Sequence, residues 1–181
     1  MEKLLLSEIA HCLNAECPEE KVITEISTDT RNLPAGCLFI AIKGERFDGH
    51  AFIKQAIENG AAAAVSEYPV DGCPCIVVKN TRTALLKLAK YYRSKFNPVL
   101  VGITGSVGKT TTKEMIALVL SEKYKTLKTQ GNLNNEIGLP KTLFNLDSSY
   151  QAAVIEMGMS DFGEIERLSN TAVPTIGVIT N

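Results

Sequence analysis

The segment VLVGITGSVGKTTTKEM, residues 99–115, constrains the fold more than any other part of the chain. PVLVGIT is a continuous apolar run, as in a strand of a parallel sheet covered on both faces. A glycine-containing turn follows, and then a helical pattern from about Lys109 to Ser121. Strand, tight loop and helix in that order commit the region to an α/β architecture with a parallel sheet. Later strands expected at 125–127, 152–156 and 175–180 alternate with helical segments near 136–144 and 163–169. TIGVIT in the last of these reads as a buried strand.

The amino-terminal part alternates too. Leu6, Ile9, Ala10 and Leu13 fall on one helical face, predicting a first helix over about 4–14. Strands are expected at 22–27, 37–42, 61–65 and 75–78, with a short helix at 51–59 ended by Gly60. Asn80 can cap the next helix, which Asn97-Pro98 terminates. The expected organisation is a small α/β domain over 1–80, a linker helix over 81–98 and a parallel-sheet domain over 99–181.

The loop carries chemistry. Gly105-Ser106-Val107-Gly108-Lys109-Thr110-Thr111 matches G-x-x-G-K-T between a strand and a helix, the context a phosphate-binding loop requires. Glycines let backbone N–H groups converge on phosphate oxygens, and the helix start adds its positive dipole end. Lys109 would reach the β- and γ-phosphates, and the Thr110 hydroxyl would hold Mg²⁺. The first glycine of G-x-x-x-x-G-K-[ST] is replaced by Ile103. A bare glycine turn is the competing reading. Glu156 ends the apolar run AAVIE, where a carboxylate can face the loop and complete a Mg²⁺ site with Thr110. The alternative is an exposed strand-end acid. In TQGNLNNEIGLPKTLF, three asparagines between glycines suit either a loop offering amide hydrogen bonds or a structural turn.

Composition excludes other classes. Nineteen basic residues against twenty acidic ones leave a formal charge of −1, which argues against a general nucleic-acid or anionic-membrane binder. No apolar run approaches the ~18 residues of a membrane span. The start lacks a signal-peptide pattern, so a cytoplasmic location is expected. The five cysteines include no C-x-x-C pair and read as small apolar core residues. Two histidines are too few for a zinc cluster, and His11 reads as structural.

Taken together, these pieces resemble the Mur ligases of bacterial cell-wall synthesis. ISTDTRNLPAGCLFIAIKGERFDGHAFI is similar to the family's amino-terminal UDP-binding domain. TGSVGKTTTKEM is similar to the family's phosphate loop, which normally lacks the first glycine. GNLNNEIGLPKTL and IEMGMSDFGEI resemble the branch that adds D-alanyl-D-alanine to UDP-N-acetylmuramoyl-tripeptide. A member adding a free diamino acid would carry a different, Ser/His-containing sequence after the strand-end Glu.

The resemblance implies an ATP- and Mg²⁺-dependent ligase working through an acyl phosphate. It implies that residues 105–111 bind ATP, that Lys109 and Glu156 are catalytic, and that Thr110 and Glu156 hold Mg²⁺. Ser27, Thr28, Asp29, Arg31, Lys43, Gly44, Asp48, Gly49 and His50 fall in its UDP-side segments. Asp48 and His50 equally suit a purely local role, capping and pinning the helix at Ala51. Thr129, Asn132, Asn134 and Asn135 match the loop facing the sugar-peptide substrate and the phosphates. A monomer is expected. Mur ligases continue beyond the equivalent of Asn181, so the chain is expected to be an amino-terminal portion that binds nucleotide weakly and does not ligate alone. Addition of a diamino acid, a nucleotide-driven switch and a non-catalytic UDP-sugar-binding module are the rival readings.

Overall fold

The computed structural model describes residues 1–44 and 47–181. The chain divides into two compact units, Met1–Leu88 and Ala89–Asn181.

The first unit opens with β1 (Leu4–Leu5) and α1 (Leu6–Leu13), and β1 pairs antiparallel with β2 (Val22–Ile23). Leu6, Ile9, Ala10 and Leu13 are the buried face of α1, and Asn14 closes the helix in the left-handed conformation. The expected strand over 22–27 is two strands. Val22–Ile23 belong to the antiparallel pair with β1, while β3 (Ile26–Ser27) joins a second sheet. The break falls at Thr24, whose N–H and hydroxyl donate to the carbonyls of Gly36 and Ala35.

The second sheet is wholly parallel, in the order β3, β4 (Leu38–Ile40), β5 (Ala63–Ser66), β6 (Cys75–Val77). A 3₁₀ turn over Gly49–Phe52 leads into α2 (Ile53–Glu58), which covers one face. Cys37, Phe39, Ala41, Ile53, Ala56, Ala61 and Ala64 form that core, with Cys73 and Cys75 packed at its margin. All five cysteines are free thiols; Cys37 is buried as the core reading expects, Cys12, Cys73 and Cys75 are half-buried, and Cys17 departs from that reading and is exposed.

α3 (Thr81–Ser94) starts in the first unit and ends in the second. Asn80 caps it, accepting the Thr83 N–H at 2.8 Å. The Glu67 carboxylate also accepts the Thr81 N–H, at 3.1 Å.

The second unit holds β7 (Val99–Gly105), α4 (Lys109–Ser121), β8 (Thr126–Lys128), α5 (Gly138–Leu143), β9 (Ala152–Glu156), α6 (Glu164–Ala172) and β10 (Ile176–Thr180). Its sheet is parallel, in the order β10-β7-β9-β8. β9 is buried along its whole length, as a strand covered on both faces must be. On one face Val101, Ile103 and Val154 pack with Ala117 of α4. Tyr92 lies edge-on to Phe96 and Phe144, and its hydroxyl donates to the Leu146 carbonyl at 2.7 Å. β10 corrects the expectation of a buried strand. It is an edge strand among the described residues, and Ile176 and Ile179 are 50% and 84% exposed.

Candidate functional site

In a parallel sheet the carboxyl ends of the strands open on one edge, where ligands of α/β proteins sit. β7 delivers the glycine loop to that edge, and β9, its direct neighbour, delivers Glu156. Gly105 stands at φ 138°, and a Cβ there would lie 2.3 Å from the Thr180 carbonyl oxygen, so only glycine passes. Gly108, at φ 86°, ends the loop and begins α4. The first-turn N–H groups of α4 have no helix carbonyl to reach and face the loop's concavity with the dipole's positive end. Ser106, Val107, Thr110 and Thr111 are exposed there. The Lys109 ammonium folds back over the loop and donates to the Gly105 carbonyl at 2.6 Å and the Ser106 carbonyl at 3.4 Å.

Thr110 and Glu156 come together: the Thr110 hydroxyl donates to Glu156 Oε2 at 3.0 Å. Asn134 Nδ2 donates to Glu156 Oε1 at 2.9 Å. The Asn134 carbonyl accepts the Gly158 N–H at 2.7 Å, and a Cβ at Gly158 would press on the Asn134 amide at 3.0 Å. Glu156 is not an exposed strand-end acid; it is buried.

Among the described residues no group of three or more His, Cys, Asp or Glu could hold a metal. At the loop, Thr110 and Glu156 offer a hydroxyl and a carboxylate, both hard oxygen donors. That set fits Mg²⁺, which takes one or two protein ligands and completes its shell with water and phosphate oxygens.

The asparagine loop divides. Asn134 is at the site, but Asn135 Oδ1 accepts the Ile137 and Gly138 N–H groups at 3.1 and 2.8 Å and so starts α5. Asn132 is exposed, its carbonyl accepting the Asn134 N–H. Thr129 is fully buried. Its hydroxyl accepts the Glu156 N–H at 2.9 Å and its carbonyl accepts from Lys113, so its polar atoms serve the protein's interior.

Lys113 is the residue that motif reasoning passed over. Its side chain is 2% exposed, with the ammonium 2.9 Å from the Thr129 carbonyl, 3.0 Å from Glu114 and 3.9 Å from Glu156. A signal was available. Lys113, Ile116, Ala117 and Leu120 occupy one helical stripe of α4, the face turned to the core, where a lysine is out of place. Glu114 also pairs with Lys128; the Lys128 and Lys113 ammonium groups hold its carboxyl below the usual range.

The remaining predicted residues lie in the first unit. Ser27 and Asp29 form a tight turn in which the Asp29 N–H donates to the Ser27 hydroxyl at 3.2 Å. The Asp29 carboxylate receives the Arg31 guanidinium, which points into solvent. Thr28 is half-buried beside them. Lys43 and Asp48 pair antiparallel through their backbones, and the Gly44 N–H donates to the Phe47 carbonyl at 2.8 Å. Glu45 and Arg46 of this motif lie outside the described residues. Gly49 lies so close to Ile42 that a Cβ would meet its backbone at 2.8 Å.

Asp48 accepts the His50 N–H at 3.0 Å and contacts His50 Nδ1 at 2.6 Å. These contacts, the backbone one first, hold the Asp48 carboxyl below its ordinary range. His50 Nε2 accepts the Glu67 N–H at 3.1 Å, so the proton resides on Nδ1, and the ring stacks on Tyr68. Both ring nitrogens are thus used inside the domain, and the pinning reading describes this pair.

Residues 22–93 match the Mur ligase family, catalytic domain, and residues 103–181 match the Mur ligase middle domain. UDP-N-acetylmuramoyl-tripeptide–D-alanyl-D-alanine ligase of Synechocystis is 48% identical over 90% of this chain and 37% of its own length. The enzyme of the same name from Escherichia coli is 43% identical over the whole chain and 40% of its own. The chain thus spans about two fifths of these curated relatives. A crystal structure of MurF from Acinetobacter baumannii superposes with a TM-score of 0.93 at 37% identity, covering 99% of this chain and 41% of that one. MurF ligase from Thermotoga maritima in complex with ADP gives 0.77 at 38% identity, covering 83% and 35%. A UDP-N-acetylmuramoyl-L-alanyl-D-glutamate–2,6-diaminopimelate ligase, at 20% identity and 0.67, shares the fold. With a Mur ligase domain matched in each half and the glycine loop set between strand and helix in the second, the chain belongs to the Mur ligase family.

Proposed function

We propose that this chain carries the UDP-sugar side and the phosphate loop of an ATP-dependent ligase joining D-alanyl-D-alanine to UDP-N-acetylmuramoyl-tripeptide. The observation that carries the reading is the Thr110 hydroxyl 3.0 Å from the buried Glu156 carboxylate, at the mouth of the glycine loop. The names of the relatives at 48% and 43% identity supply the substrates. The diamino-acid alternative has only a shared fold behind it, at 20% identity.

The chemistry suits the residues. A carboxylate is a poor electrophile. Transfer of the ATP γ-phosphoryl group to a carboxylate oxygen breaks the bond to the β-phosphate oxygen, releases ADP and leaves an acyl phosphate. The D-alanyl-D-alanine amine then attacks the acyl carbon, and phosphate and a proton leave as the amide forms. Charge accumulates on phosphoryl oxygens in the first step. The first-turn N–H groups of α4 and the Lys109 ammonium are placed to stabilise it once Lys109 exchanges the Gly105 carbonyl for phosphate. Mg²⁺ held by Thr110 and Glu156 would add neutralising charge. Ser27, Thr28, Asp29, Arg31, Lys43, Gly44 and Gly49 would face the UDP sugar, with Asp48 and His50 holding the turn beside them. A cytoplasmic enzyme follows from this reading, and no described helix is long and apolar enough to cross a membrane.

The test is calorimetric titration of the chain with UDP-N-acetylmuramoyl-tripeptide and, separately, with MgATP. Both bind, and Lys109→Ala loses MgATP while keeping the UDP sugar. Nucleotide binding without any UDP-sugar binding overturns the proposal in favour of a nucleotide-driven switch.

A further inference from the structure

Lys113 has no part in the phosphate-loop reading, yet it is among the most deeply buried large side chains of the protein. Burying an ammonium costs several kcal/mol unless hydrogen bonds and opposite charge offset it, so its environment is its explanation. Its two close partners are the Thr129 carbonyl at 2.9 Å and Glu114 at 3.0 Å, and Glu156 lies farther, at 3.9 Å. Thr129 in turn accepts the Glu156 N–H through its hydroxyl, at 2.9 Å. α4, the segment after β8 and the end of β9 are therefore tied in one buried circuit through Lys113 and Thr129.

The circuit leaves the Glu156 oxygens free for other partners. Neither receives a close hydrogen bond from Lys113; Oε2 meets Thr110 and Oε1 meets Asn134. Glu114 and Lys128 complete a balanced set, two cations against two carboxylates, so the ammonium is compensated mainly by Glu114 and not by the carboxylate it stands behind.

We propose that Lys113 is a positioning residue for the metal–nucleotide site, holding the end of β9 against α4 so that Glu156 and Thr110 present their oxygens together. Thr129 acts in the same circuit from the other side. This rests on the reading of Thr110 and Glu156 as Mg²⁺ ligands.

A fluorescent ADP analogue, titrated into the chain with Mg²⁺ and with chelator, tests it. In Lys113→Met, affinity with Mg²⁺ falls about 10–100-fold, as for loss of a group that orients a metal ligand, while metal-free affinity stays within about twofold. Thr129→Val gives the same selective loss and decides the matter should Lys113→Met fail to fold by circular dichroism. Equal losses with and without metal in a folded variant, or no loss in either, overturn the role of Lys113. If the parent chain itself shows no Mg²⁺ enhancement, the assignment of Thr110 and Glu156 falls, and this inference with it.

Discussion

Gly105 carries two separate demands. Its φ of 138° is closed to side chains, and its missing Cβ is the space occupied by Thr180. Gly105→Ala is expected to cost about 2–4 kcal/mol in urea melts, from strain and overpacking together, and to abolish nucleotide binding. The glycine was legible in the sequence because loop chemistry is local. Asp48 and His50 were legible only as a pair of alternatives, since the Glu67 N–H that fixes the ring comes from the end of another strand. Their geometry yields a pH dependence. The Asp48 carboxyl is held below its ordinary range in the folded state, chiefly by the His50 N–H. Such a group contributes stability above the unfolded carboxylate value and loses it as pH falls through the lower folded value. The stability gap between the parent and Asp48→Ala should therefore be constant near neutrality and close below about pH 4. A gap unchanged down to the acid limit would show that the contact does not depend on the charge.

Elements were readable where a single sheet governs them. α4 and β9 run over the expected residues, because helix periodicity and a doubly covered strand each impose one pattern. The run 22–27 failed because its halves serve different sheets, a fact of topology that alternation cannot carry. Lys113 lay in plain view on the apolar stripe of α4, but its meaning needs Thr129, which β8 brings alongside. α3 is fixed at its start by two acceptors, Asn80 from its own sequence and Glu67 from beyond β5. Asn80→Ala should lower stability by about 1 kcal/mol, with Glu67 still serving the first turn. Tyr92→Phe, which keeps both edge-on ring contacts and removes the bond to the Leu146 carbonyl, should cost about 1 kcal/mol. Differential scanning calorimetry on the two variants checks both values, and a larger loss in Tyr92→Phe would mean that the hydroxyl does more than meet the Leu146 carbonyl.

At the scale of the molecule, the feature without a counterpart in the sequence pattern is the edge of the second sheet. IGVIT has the composition of an interior strand, and composition reports what a strand can bury, not which neighbours it has. In the structure β10 pairs only with β7, and its other side carries backbone N–H and carbonyl groups with no strand beside them among the described residues. Ile176 and Ile179 stand half or more exposed on it. A straight apolar edge without charge or proline is a template for pairing with another chain, and proteins ordinarily blunt such edges. A polypeptide of residues 1–181 should therefore associate as its concentration rises. Ile179→Lys places a charge on the most exposed of these positions, where nothing needs to be displaced. Sedimentation velocity across a concentration series should show the parent shifting to larger species and Ile179→Lys remaining at one sedimentation coefficient, with melting temperatures within a degree or two of each other. Association that persists undiminished in Ile179→Lys would move the contact away from β10.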